Sequence, residues 1–239
     1  MVGVKGIHLE GIEKSYVVDE KKVEVLKGIN LDIPSNGITV ILGKSGCGKT
    51  TLLRIIGGLE EYDNGRIYGR ENERMTFVFQ EPRLMPWLNI WENIKFGLKK
   101  EEIDNTKLQS IIDTVGLNDF EKAYPHQLSG GMKQRAAIAR ALAYAPSFIM
   151  MDEPFAALDY FTRRQMQKEL LNLEVNRKTS ILFVTHSIDE ALILADKIVV
   201  LEKGRVKEEY IVNVNINERD LLEPVFIELK KDIMGQLYL

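Results

Sequence analysis

The chain has 239 residues, enough for one domain, or a domain with a subdomain, that buries about 70% of its extended surface. Hydrophobic residues make up 45% and charged residues 28%, which excludes disorder, and the net charge of −3 argues against a general nucleic-acid binder. The single cysteine, Cys47, rules out an internal disulfide or a cysteine-built zinc site and points to a reducing compartment.

The N-terminal third reads as β structure. Val4–Leu9 and Val23–Ile33 are strand-like, with the polar stretch Asp19–Lys22 between them and a turn at Ser35-Asn36-Gly37. Ile38–Leu42 is a short apolar run of the kind found in fully buried strands, and a helix is predicted from Lys49 to Gly57-Gly58. A turn at Asp63-Asn64-Gly65 predicts a hairpin, and Met75–Phe79 is a second buried-type strand. Helical spacing follows over Trp91–Leu98, Asn105–Val115 and Met132–Ala143, with Pro82, Pro86, Gly116 and Pro125 between the pieces. Phe148–Met151, Ser180–Thr185 and Lys197–Leu201 read as strands, alternating with helices at Phe161–Glu174 and Ile188–Leu194. Such alternation predicts an α/β fold whose mostly parallel sheet carries helices on both faces. In the tail, Leu222, Phe226, Leu229 and Ile233 fall three or four residues apart and give a helix with one apolar stripe. No apolar run approaches the roughly 18–20 residues needed to span a bilayer, and Met1–Glu10 lacks the apolar core of a signal peptide.

Gly43-Lys44-Ser45-Gly46-Cys47-Gly48-Lys49-Thr50, followed by Thr51, fits G-x-x-x-x-G-K-[ST] between a buried strand and a helix. Glycines let backbone N–H groups turn inward around an anion, and the helix adds its positive N-terminal dipole. Lys49 is placed to reach β- and γ-phosphates, and the Thr50 hydroxyl to meet Mg²⁺. Cys47 reads as a small residue tolerated in that loop.

The apolar run Phe148–Met151 ends in Asp152 and Glu153. Alone, two acids after a strand read equally well as surface charges. Beside a phosphate loop they read as a pair, Asp152 orienting Mg²⁺ and Glu153 accepting a proton from an attacking water. Leu128-Ser129-Gly130-Gly131-Met132-Lys133-Gln134-Arg135 then places a serine and two glycines before an Ala-rich helix, a second anion-binding helix start.

A chain with both glycine loops resembles the ATP-binding-cassette (ABC) ATPases, and Leu128–Gln134 looks like their signature motif. The resemblance covers nearly the whole chain. It implies a P-loop core with an N-terminal antiparallel β subdomain over 1–80 and 146–212, an inserted helical subdomain over 81–145, and a tail helix within 213–239. Tyr16 resembles the aromatic residue that stacks on adenine, and Gln80 the glutamine that touches Mg²⁺ and the γ-phosphate. His186 looks like the switch histidine, and Ala157-Leu158-Asp159 the loop that contacts the opposite subunit. Ala156 departs from the Ser or Gly common at that position. His8 and His126 read as structural and loop residues.

In this family the signature of one subunit faces the phosphate loop of another. The resemblance therefore implies a head-to-tail homodimer holding two ATP·Mg²⁺, with Ser129, Gly130, Gly131 and Gln134 meeting the partner's nucleotide. One cassette without a membrane segment resembles a transporter subunit on the cytoplasmic face of the cell membrane, bound to a permease and indirectly served by a solute-binding protein. The segment Gln80–Trp87, with Leu84, Met85 and Trp87, is where such subunits receive a coupling helix. Together with Pro154–Arg163 and the tail Arg219–Leu237, it resembles the nitrate, sulfonate, taurine and bicarbonate importers. A soluble ABC ATPase without a transport role is the alternative left open.

Overall fold

The computed structural model describes residues 6–177, 179–214 and 219–238. Its centre is β3 (Ile38–Leu42), an apolar strand buried along its whole length. On one side β3 pairs in parallel with β7 (Ser180–Thr185), which pairs with β6 (Phe148–Asp152), which in turn pairs with β5 (Met75–Val78). On the other side it pairs in parallel with β8 (Lys197–Glu202), and β9 (Arg205–Ile211) closes that edge antiparallel. The order β5-β6-β7-β3-β8-β9 makes a mostly parallel sheet, so the C-terminal ends of β5, β6, β7 and β3 open onto one crevice.

Alternation along these strands divides the core. Val40, Leu42, Met151 and Phe183 face one layer, which takes up α2 (Ile90–Lys95), α3 (Asn105–Thr114), α4 (Gly130–Ala143), α5 (Tyr160–Arg177), α6 (Ile188–Leu194) and α7 (Pro224–Tyr238). Ile41, Met150, Leu182 and Val184 face the other layer, where α1 (Lys49–Ile56) packs under a second sheet. That second sheet is antiparallel, in the order β2-β1-β4, built from β1 (Gly6–Val18), β2 (Lys21–Pro34) and β4 (Asn64–Tyr68).

Four expectations are corrected. The first strand runs on to Val18 and turns through Asp19 and Glu20, both with positive φ, into β2; residues 4 and 5 lie outside the described residues. Asp63-Asn64-Gly65 forms no hairpin, because the element that precedes β4 is the helix α1 and not a strand; the turn instead delivers β4 onto β1, with Asn64 opposite Glu13. The strand β9 was not expected: its Lys207-Glu208-Glu209 run is exposed, as an edge strand permits, and it masks the alternation. Leu222 precedes α7 and is exposed; the buried stripe is Phe226, Ile233 and Leu237. Each of these three buried side chains contributes about 1.5–3 kcal/mol, and Lys230 adds an ion pair to Asp189 of α6.

Between β5 and β6 the described chain is helical or irregular, and α4 carries it back to the sheet. Two side chains of α4 hold the loop after β5. Gln134 Nε2 donates to the Phe79 carbonyl at 3.1 Å, and Arg140 donates to the Arg83 and Pro82 carbonyls at 3.0 and 3.1 Å.

Candidate functional site

The segment from Gly43 to Gly48 leaves β3 and wraps the start of α1. Gly43 has to be glycine, since a Cβ there would lie 2.4 Å from the Leu201 carbonyl oxygen and 2.7 Å from Cys47 Sγ. Gly48 caps α1 at φ 107°, a conformation closed to other residues, with the Val25 carbonyl 3.1 Å from any Cβ. The loop backbone and the start of α1 form the floor of an open cavity of about 560 Å³. Gly43, Ser45, Gly46, Gly48, Lys49, Thr50 and Thr51 line it, joined by Gln80, Glu153 and His186 from the ends of three other strands.

Lys49 is almost fully buried. Its ammonium donates to the carbonyls of Gly43 at 2.8 Å and Lys44 at 3.0 Å, and its Nζ lies 4.0 Å from Glu153 Oε1. Thr50 Oγ1 donates to Asp152 Oδ1 at 3.0 Å. Burial pushes the Asp152 carboxyl above the usual range, against the Thr50 hydrogen bond that lowers it; the neighbouring Glu153 charge adds to the rise. Glu153 sits at φ 43°, a left-handed conformation costing ~1–3 kcal/mol for a non-glycine residue. Its N–H is fixed to the Val184 carbonyl at 3.0 Å, and the kink turns its carboxylate into the cavity. There Oε2 lies 3.0 Å from His186 Nδ1. Among the described residues no three His, Cys, Asp or Glu side chains group as a metal cage. The Thr50 hydroxyl with the Asp152 carboxylate is instead an all-oxygen pair of the kind Mg²⁺ takes when phosphates complete its shell.

Not every residue expected at the site lines this cavity. Tyr16 stands beside it on β1, its hydroxyl bonded to Glu60 and 3.5 Å from Thr51 Oγ1; burial and Glu60 raise its pKa. Cys47 faces a second cavity behind the loop, of about 360 Å³, with Leu201, Glu202 and Lys203. Burial pushes its thiol up despite Lys49. Ser129, Gly130 and Gly131 start α4 away from the cavity, the Ser129 hydroxyl accepting from the Met132 N–H at 3.2 Å. Gln134 is turned inward to Phe79, away from the exposed helix start. Asp159 caps α5, accepting from the N–H groups of Phe161 and Thr162, and Ala157 and Leu158 pack against Gly131. Trp87 is 71% exposed, on a loop that buried Asn93 holds through hydrogen bonds to Met85, Leu88 and Asn89.

Beyond the loop residue Lys44, which was not singled out, two cavity residues outside the loop were missed by the sequence reading, Val25 of β2 and Leu237 of α7. Leu237 continues the 226–229–233 spacing, so its burial was legible but its place at the phosphate loop was not. Glu190 was missed as well. Ser187-x-x-Glu190 has the form of a capping box, and the Ser187 hydroxyl does accept from the Glu190 N–H. The Glu190 side chain, however, reaches the Thr185 hydroxyl.

An anion-cradling loop in the crevice of a parallel sheet, with a carboxylate ending the neighbouring strand, is the architecture of a phosphate-loop nucleotide-binding protein. The ABC transporter family model matches residues 26–156. An uncharacterised ABC transporter ATP-binding protein of Methanocaldococcus jannaschii is 44% identical, covering 97% of this chain and 91% of its own. Aliphatic sulfonates import ATP-binding proteins of Bacillus cereus and Granulibacter bethesdensis are 39% and 42% identical, covering 96% and 89% of this chain and 95% and 88% of theirs. A dimeric ATP-binding cassette solved in a post-hydrolysis state with ADP and Pi superposes with a TM-score of 0.79 at 31% identity, over 87% of this chain and all of that one. The chain belongs to the ABC transporter ATP-binding family, and its activity is ATP hydrolysis.

Proposed function

We propose that this chain is the ATP-hydrolysing subunit of an importer for a small anionic solute of the sulfonate type, working as a head-to-tail homodimer on a membrane permease. The observation that carries the reading is the convergence of Lys49, Gln80, Glu153 and His186 on one cavity while the Ser129-Gly130-Gly131 helix start lies outside it. One chain thus holds the phosphate loop and, elsewhere, a second anion-binding surface, so a site complete with both requires two copies.

In this reading the backbone from Gly43 to Gly48 cradles the β-phosphate, and Lys49 neutralises the β- and γ-phosphates. Ser45, Cys47 and Thr51 complete the loop's contacts with ATP, and Tyr16 stacks on adenine. Thr50, Asp152 and Gln80 would hold Mg²⁺, which when bound would supply positive charge beside the phosphates. Glu153 takes a proton from the attacking water, and His186 orients the γ-phosphate and that water. Ser129, Gly130 and Gly131 of the partner subunit close over the γ-phosphate, with Gln134 bracing their helix from within. Ala157, Leu158 and Asp159 face the partner. Hydrolysis removes the link and the dimer reopens.

The reading keeps residues 1–80 and 146–212 as the nucleotide-binding core, 81–145 as the helical subdomain and 213–239 as the tail. Exposed Trp87, on the loop following Gln80, offers an apolar anchor for a permease helix. Among the described residues no helix is long and apolar enough to cross a membrane, which fits a subunit held at the cytoplasmic face by its permease, with a solute-binding protein delivering the solute from the far side. The sulfonate relatives support the choice of substrate class. The test is to identify the membrane protein that co-purifies with the chain, reconstitute the two, and measure ATPase activity against a panel of solutes. Stimulation by alkanesulfonates supports the reading; stimulation only by a cationic or neutral solute overturns the substrate class.

A further inference from the structure

We infer that Arg163 and Glu190 form a positioning pair that transmits the placement of the 157–159 loop to His186, an inference that rests on the roles proposed above for that loop and that histidine. Neither residue lines the nucleotide cavity. Arg163 lies in the first turn of α5, directly after the loop, and Glu190 in α6, directly after His186.

Contacts run unbroken from one to the other. Arg163 Nη2 donates to the Leu158 carbonyl at 3.0 Å, and its Nε lies 3.8 Å from Glu190 Oε1. Glu190 Oε2 accepts from Thr185 Oγ1 at 2.5 Å, and the same hydroxyl accepts from the Ser187 N–H at 3.0 Å. The Ser187 hydroxyl in turn accepts from the Glu190 N–H at 3.3 Å. Thr185 and Ser187, the two neighbours of His186, are thereby both referred to one buried carboxylate. His186, between them, presents Nδ1 to Glu153.

The other end is as well defined. Leu158 is buried, and Leu158 Cδ2 and the Ala157 carbonyl oxygen stand 3.4 and 3.3 Å from where a Gly131 Cβ would lie. The loop is therefore wedged against the start of the signature helix of its own chain, while exposed Ala157 and Asp159 are free to meet a partner. Because the guanidinium is a rigid fork, displacing the Leu158 carbonyl swings Nε as well. That Nε is buried without a hydrogen-bond partner, and a shift of about 1 Å would bring it into bonding range of Glu190. Seating the loop tightens the pair, and the pair fixes Thr185 and Ser187 around His186.

Glu190→Gln keeps an acceptor for Thr185 and removes the charge that Arg163 meets; Arg163→Gln removes the fork. The full-length chain carrying each change, and both together, is assayed for kcat and KM of ATP hydrolysis, ATP affinity by calorimetry, and Tm. Each single change is expected to lower kcat about tenfold or more, as misplaced catalytic groups do, with KM and ATP affinity within about twofold. The double variant is expected to be no slower than the slower single, because the two act as one unit. Wild-type kcat in both singles, multiplying losses in the double, or affinity and Tm falling in step with kcat would each overturn the inference. If Glu190→Gln does not fold, Arg163→Gln, at a half-buried position, carries the kcat-against-affinity comparison. His186→Ala is measured in parallel. Full turnover in that variant overturns the site reading on which the inference stands. Lost turnover there, with wild-type rates in the Arg163 and Glu190 variants, overturns the pair alone.

Discussion

Glu153 combines a strained backbone with a carboxylate facing His186, the combination on which its proposed role as base rests. Glutamine has the same shape and cannot accept the proton. Glu153→Gln is therefore expected to bind ATP within about twofold of wild type, to lose hydrolysis by a factor on the order of 10²–10⁴, and to accumulate as an ATP-bound dimer in size-exclusion chromatography. Full turnover would remove Glu153 from the base role. Asp152 adds a pH argument. Its folded-state pKa is raised by burial, so its contribution to stability is present below the unfolded value near 4 and is lost as pH rises through the raised value. At neutral pH the buried charge is a cost in the metal-free chain. Asp152→Asn keeps the Thr50 hydrogen bond and should raise the Mg²⁺-free Tm at pH 7, the gain shrinking toward pH 4. The same variant should require far more Mg²⁺ for turnover.

Among the elements, α4 does more than present the signature. Gln134 and Arg140 hold three carbonyls of the loop that carries Gln80 toward Trp87. Arg140 is half-buried with its guanidinium against carbonyls, and the partial desolvation lowers its pKa. Arg140→Ala leaves the Pro82 and Arg83 carbonyls without their donor, at a cost of about 1–3 kcal/mol. Hydrogen exchange should quicken across 80–88 with little change in β3 or α1; uniform protection would show the loop to be held by other means. The helix α7 has a similar double part. Its stripe packs on α6 and β8, and its last described buried residue, Leu237, closes one wall of the phosphate cavity.

At the scale of the molecule, the helix starts at Gly48 and at Ser129 lie on different parts of one chain, and only the first lines the cavity. If sites form between copies, Lys49→Ala and Ser129→Arg chains are each inactive alone. Mixed, they should regain turnover, because one of the two sites in the heterodimer has an intact Lys49 and an intact partner Ser129. A mixture as inactive as its components would place both halves of the site in one chain.

The sequence by itself determined the phosphate loop, the acids ending β6 and the helix start at Ser129. Each depends on neighbours within a few residues: a glycine that must turn, a strand that must end, a serine that must cap. It also determined the α/β alternation, since side-chain period is a local property. Tertiary structure alone decided that Gln134 turns inward, that Leu237 reaches the phosphate loop and that Asn64 pairs with Glu13 instead of forming a hairpin. It also decided that Arg163 meets Glu190. These join residues far apart in the chain, and only the order of strands and the packing of helices on the sheet brings them within a few ångströms.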